Sequence, residues 1–137
     1  MPTITNWQYS TNGATWVDAN SQFTVNGAPD LLPDSYAISN SIYNILNCPI
    51  GGRGRIMQPT YGSLWWQFLQ EPIDQVTANK MNLSTIQALQ RWEPRISIDN
   101  SNSYINPDYG LPGYDVRIAF TVLLTSQKQQ VTFQLQP

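Results

Sequence analysis

The apolar positions change period once along this chain. Over residues 35–47, Ile38, Ile42, Ile45 and Leu46 recur at steps of three and four, which predicts a helix with one apolar face, ended by Pro49. Leu64, Trp65, Trp66, Phe68 and Leu69 predict a short helix stopped at Glu71-Pro72. A longer helix is expected from Asp74 or Thr77, both suitable N-caps, to Trp92. Ala78, Met81, Thr85, Leu89 and Trp92 form its stripe, with Ile86 beside it. Beyond Pro94 the period falls to two. Residues 95–99 alternate around Ile96 and Ile98, and residues 114–125 place Val116, Ile118, Phe120, Val122 and Leu124 on one side. A last strand carries Val131, Phe133 and Leu135 and joins the previous one through residues 126–130 as an antiparallel hairpin. Residues 106–113 read as a long, turn-rich loop. The fold class is α+β: helices in the N-terminal and middle part, packed on a small C-terminal, mainly antiparallel sheet with an open edge.

Residues 1–34 are different. Asn12-Gly13, Asn26-Gly27 and Ala28-Pro29-Asp30 are turn signals between short segments at 6–9 and 22–25, so this stretch reads as an extended arm or hairpin. Trp7, Tyr9, Trp16 and Phe23 are many aromatics for so loose a segment, and they pack either on the domain's own surface or on a neighbour. The remaining residues, 35–137, form a single α+β domain, since 137 residues hold one ordinary core. No internal repeat is evident.

Charge narrows the function classes. Charged residues are 12% of the chain, about half the usual ~25%, and net charge is −2. The seven Lys and Arg are scattered between Arg53 and Lys128 rather than drawn into a basic stripe, which argues against a nucleic-acid partner. With no histidine, a His-based triad is excluded and the commonest metal ligand is missing. Cys48 is the single cysteine, so no intrachain disulfide or thiolate zinc site can form, and it reads as a small buried residue. No metal and no cofactor is expected. The N-terminus lacks signal-peptide blocks, and no apolar run approaches ~18 residues. The expectation is a soluble, membrane-free protein made in a cytoplasm.

Ile50-Gly51-Gly52-Arg53-Gly54-Arg55 only superficially suggests a phosphate loop. It lacks the Gly-Lys-Ser/Thr ending and a preceding strand, and reads as a turn that presents Arg55. Glu93-Pro94-Arg95 carries more information. Proline ends the helix at Trp92-Glu93 and starts an extended segment at Arg95. A carboxylate at the negative end of a helix dipole requires a cation, and Arg95, Arg91 and Arg55 are the candidates for a two-bond guanidinium fork. Spacing favours a junction salt bridge within the chain over a contact between subunits.

Three stretches together resemble a known family: Asn44-Ile45-Leu46 with the glycine-arginine turn after it, then residues 55–63 with Pro59, Tyr61, Gly62 and Ser63, then residues 88–96 with Trp92, Glu93, Pro94, Arg95 and Ile96. The chain resembles the small baseplate wedge proteins of contractile phage tails, also called sheath initiators, with counterparts in type VI secretion. The resemblance spans roughly residues 38–135. It implies a non-enzymatic virion protein of the tail baseplate, assembled in the host cytoplasm in six copies around the tube. It joins other baseplate wedge proteins to the tail sheath, with the tail tube a further candidate partner. By the same resemblance, Glu93, Pro94, Arg95 and Arg55 would contact the core bundle of the larger wedge proteins. The C-terminal strands, with Val116, Ile118, Phe120, Val122, Val131, Phe133 and Leu135, would template sheath polymerisation by strand exchange. The chain departs from the family where Arg53 stands in place of a glycine, and in its longer aromatic arm.

Some relatives carry a lysozyme label, so the alternative is a peptidoglycan hydrolase. That chemistry needs two carboxylates about 5 to 9.5 Å apart. The two glutamates, Glu71 and Glu93, each precede a proline at an expected helix end and read as punctuation; Asp74, Asp108 and Asp115 suggest no sugar cleft. A third reading is a free-standing adaptor whose aromatic arm docks on another partner.

Overall fold

The structure, a computed structural model, describes residues 16–19, 31–52 and 57–136. Trp7, Tyr9, Phe23, Arg53 and Arg55 lie outside the described residues. The chain divides into two units, Met1–Ser41 and Ile42–Pro137.

In the first unit, β1 (Val17–Ala19) pairs antiparallel with β2 (Leu31–Pro33), Asp18 opposite Leu32. Helix α1 (Asp34–Asn47) follows at once. Its first residue has a left-handed φ of 42°, and it is tied to Trp16 in both directions: the Asp34 N–H donates to the Trp16 carbonyl at 2.8 Å, and the Trp16 N–H donates to Asp34 Oδ1 at 3.1 Å. The stripe read from the sequence is the buried one, with Ile38, Ile42, Ile45 and Leu46 all sequestered from solvent.

The second unit contains the end of α1, a one-turn helix α2 (Trp65–Phe68), the long α3 (Gln75–Trp92) and a four-stranded sheet. Asp74 is the N-cap of α3, its carboxylate accepting the Thr77 N–H at 2.7 Å. Ala78, Met81, Thr85 and Leu89 are buried along α3 as the period requires. Trp65 is locked against this helix: its indole N–H donates to Thr85 Oγ1 at 2.8 Å, and the Thr85 hydroxyl donates to the Met81 carbonyl at 2.8 Å.

The sheet consists of β3 (Ile96–Ile98), β4 (Tyr104–Asp108), β5 (Gly113–Val122) and β6 (Lys128–Leu135). Every pairing is antiparallel and every one is with β5. β3 and β4 lie end to end along one side of it, and β6 runs along the other. Helix α3 packs on β4 and β3. Tyr114, Val116, Ile118, Phe120 and Val122 point into the core, while Asp115, Arg117, Ala119 and Thr121 point to the outer face.

Two details differ from the sequence reading. β4 falls in part of the stretch expected to be loop, so there are four strands rather than three. Pro107 hides it, yet Pro107 stands opposite Tyr114, a residue whose backbone bonds go to β6, so the ladder loses nothing. Leu124 also does not continue the apolar face: β5 ends at Val122, and Leu123 and Leu124 are exposed in a tight turn with Ser126 at a φ of 54°.

Candidate functional site

Two motifs that are far apart in sequence meet at the end of α3. Pro94 forces Glu93 out of helical geometry, to φ −126° and ψ 77°, while the Glu93 N–H still closes the last turn on the Leu89 carbonyl at 2.8 Å. The side chain turns inward and is 1% exposed. Arg95 answers it from two residues on: Nε donates to Glu93 Oε1 at 2.5 Å and Nη2 to Oε2 at 2.7 Å. This is the two-bond fork that the carboxylate at the dipole's negative end requires. Arg91 instead lies over the Trp92 ring, 5.1 Å from its centroid, and Arg55 is outside the described residues. Glu93 and Arg95 therefore pair within the chain. Pro94 between them is exposed.

The earlier motif supports this junction from the side. Gly62 has φ +122°, and a Cβ there would lie 2.2 Å from the Cys48 carbonyl oxygen. Only glycine allows the approach that lets the Ser63 N–H donate to that carbonyl at 2.9 Å and the Ile50 N–H donate to the Ser63 carbonyl at 3.2 Å. The buried Ser63 hydroxyl donates to the Leu46 carbonyl at 2.6 Å, satisfying one of the acceptors left over at the end of α1. Tyr61, next in line, packs edge-on against Trp92 with ring centroids 5.3 Å apart. The segment from Pro59 to Ser63 thus joins the end of α1 to the residue before Glu93. Ser63 and Tyr61 were not singled out as individual roles from sequence; the signal available was a glycine flanked by a small hydroxyl and an aromatic.

The second candidate surface is the β6 border of the sheet; β3 and β4 form the other border, on the far side of β5. Val116, Ile118, Phe120 and Val122 belong to β5, which is paired on both sides, and their side chains are core. Val131, Phe133 and Leu135 are on β6, half-buried on the core face; Phe133 meets Tyr43 at 6.1 Å and Trp65 at 5.3 Å. Among the described residues no strand covers the outer edge of β6. The Val122 N–H donates to the Gln127 carbonyl at 2.9 Å, which sets the ladder's alternation: Gln129, Val131, Phe133 and Leu135 bond to β5, and Lys128, Gln130, Thr132 and Gln134 direct their N–H and C=O groups away from it. These four side chains are exposed and, except for Lys128, uncharged.

Among the described residues no group of three or more Cys, Asp and Glu could hold a metal, and no helix is long and apolar enough to cross a membrane. Of four cavities along the sheet, one is lined by the single carboxylate Asp99, one by the single carboxylate Asp108, and the other two by none. The shifted titrations are structural. The Thr77 N–H holds the Asp74 carboxyl below the usual range, the Asn102 amide does the same for Asp99, and burial pushes Tyr114 up.

Comparison with known proteins places these features in context. The family described as baseplate wedge protein gp25 matches residues 34–122, which include both motifs and the first three strands of the sheet. No curated protein matches the chain. Several solved structures share the fold, three of them as follows. A provisionally named tail lysozyme of Geobacter sulfurreducens is 23% identical, with TM-score 0.62 over 72% of this chain and 86% of that one. A chain of the anti-feeding prophage baseplate is 17% identical, with TM-score 0.60 over 87% and 83%. A chain of the postcontracted pyocin R2 baseplate is 18% identical, with TM-score 0.51 over 89% and 99%.

Proposed function

The chain belongs to the baseplate wedge protein gp25 family, and on that footing we propose that it links the wedge of a contractile-tail baseplate to the sheath and templates the first sheath ring through β6. The observation that carries this reading is the edge of β6, which no strand among the described residues covers and where Lys128, Gln130, Thr132 and Gln134 direct backbone donors and acceptors toward an incoming strand. β5 cannot take that role itself because both its sides are occupied. Val131, Phe133 and Leu135 serve it indirectly, by anchoring the edge strand to the core. The junction of Glu93, Pro94 and Arg95, with Arg55 before it, is the proposed contact with the core bundle of the larger wedge proteins. There the internal Glu93–Arg95 fork would hold the exposed Pro94 in a fixed position. Six copies around the tube, with sheath and wedge proteins as partners and assembly in the host cytoplasm, complete the proposal.

The hydrolase alternative gains no support. Both Glu93 carboxylate oxygens accept from Arg95 in the interior, and Glu71 pairs with Lys80 at 3.1 Å.

Co-sedimentation with the cognate sheath subunit tests the edge. Removing β6 would strip Phe133 from Trp65 and Tyr43, so the informative variant is Thr132→Pro, which deletes one outward N–H and leaves the bonds to β5 intact. The proposal expects T132P to fold and to lose sheath binding; unchanged binding by folded T132P would refute it.

A further inference from the structure

We propose that the outer face of the sheet carries a docking pocket for a carboxylate side chain of a partner protein, centred on Arg117. A cavity of about 310 Å³ opens there between the loop after β3 and the start of β6, lined among others by Asp99, Asn102, Arg117, Ala119, Lys128 and Gln130. The recess exists because Ala119, the outward residue at the centre of β5, fills it with only a methyl group. Arg117 enters from one side. Its Nη2 donates to Gln130 Oε1 at 2.5 Å, whereas its Nε is buried and meets no acceptor among the described residues. A buried N–H without a partner is destabilising, and an acceptor arriving from outside removes that penalty. Nε–H and the second hydrogen of Nη2 form the side-on fork that a carboxylate fits in two parallel bonds.

The charges in the pocket favour an anion. Lys128 and Arg117 are its two cations, and neither forms an ion pair among the described residues. Asp99 is its one carboxylate, already engaged by the Asn102 amide at 2.6 Å and the Ser101 N–H at 3.0 Å. The cavity is larger than a bare carboxylate, and the carbon surface of Ala119 and Thr121 suits the methylenes of a glutamate. The choice of a protein side chain over a free anion rests on the reading of the chain as an assembly component. The pocket itself is independent of strand addition at β6, since it uses side chains of the outer face and not the backbone edge.

The test is an NMR titration of the ¹⁵N-labelled full chain, following the Arg117 Nε–H signal, assigned by its loss in Arg117→Gln. The probes are a capped pentapeptide with one central glutamate, its glutamine counterpart, acetate and inorganic phosphate. The glutamate peptide is expected to shift the signal saturably and to bind about tenfold more tightly than the glutamine peptide or acetate, with weakening as salt rises. Folded Lys128→Gln should bind it several-fold more weakly, which keeps the test decisive even if R117Q fails to fold. Equal binding of the glutamine peptide, equal binding of acetate or phosphate, or no shift at all would overturn the proposal. Folded Gln134→Pro, which removes an outward N–H opposite Asp115 and outside the pocket lining, should bind the peptide like the native chain, so failure at the pocket and failure at the edge give different results.

Discussion

At residue scale, the position with the most at stake is Glu93, a carboxylate that is 1% exposed at the unfavourable end of a helix. Arg95 makes that burial tolerable, and removing one partner of a buried pair costs about 3 kcal/mol or more. Arg95→Ala is therefore expected to lower stability by about that amount in urea unfolding. Arg91→Ala, which loses only a stacking contact with Trp92, should cost less than about 1 kcal/mol. Gly62→Ala should cost more than about 2 kcal/mol, because it combines a left-handed φ with a 2.2 Å clash on backbone that cannot yield. The residue types at this junction could be read in the sequence, and so could the need for an arginine. Which arginine answers could not: Arg55, Arg91 and Arg95 all fit on charge, and only the turn imposed by Pro94 brings the guanidinium two residues along back onto Glu93.

At the scale of elements, hydrophobic period located the three helices of the described residues and three of the four strands of the C-terminal sheet because each has one buried face. β4 escaped it. Tyr104, Ile105, Asn106, Pro107 and Asp108 contain a proline and flank turn residues, so local propensity pointed to loop, whereas pairing with β5 decided otherwise. The end of β5 escaped for the opposite reason. Leu123 and Leu124 prolong the apolar pattern, but the turn to β6 begins at once and leaves both exposed. Helix α3 yields a pH prediction. The Asp74 carboxyl is held below its ordinary range in the folded state, so its capping contribution is complete above the unfolded carboxylate value of about 4 and is lost as pH falls through the lower, folded value. Melting temperature followed from pH 5 downward should drop more steeply for the native chain than for Asp74→Asn, which caps as well but does not titrate there.

At the scale of the whole molecule, low charge and many uncharged polar side chains suit a protein that remains in contact with its partners, because each charge buried at an interface would need its own partner. Family membership and the fold shared with baseplate chains agree with that composition. The candidate edge was only half legible in the sequence. An open sheet with alternating C-terminal strands implies free edges, but strand order decides which strands hold them, and here β5, the most apolar strand, is central while β6 forms one border and β3 with β4 the other. The most direct measurement is amide hydrogen exchange on β6 for the chain alone and bound to its cognate sheath subunit. The account predicts that the outward amides of Lys128, Gln130, Thr132 and Gln134 exchange fast in the free chain and become protected in the complex, while those of Gln129, Val131, Phe133 and Leu135 are protected in both. A sheath complex in which the outward amides still exchange at their free rates would contradict it.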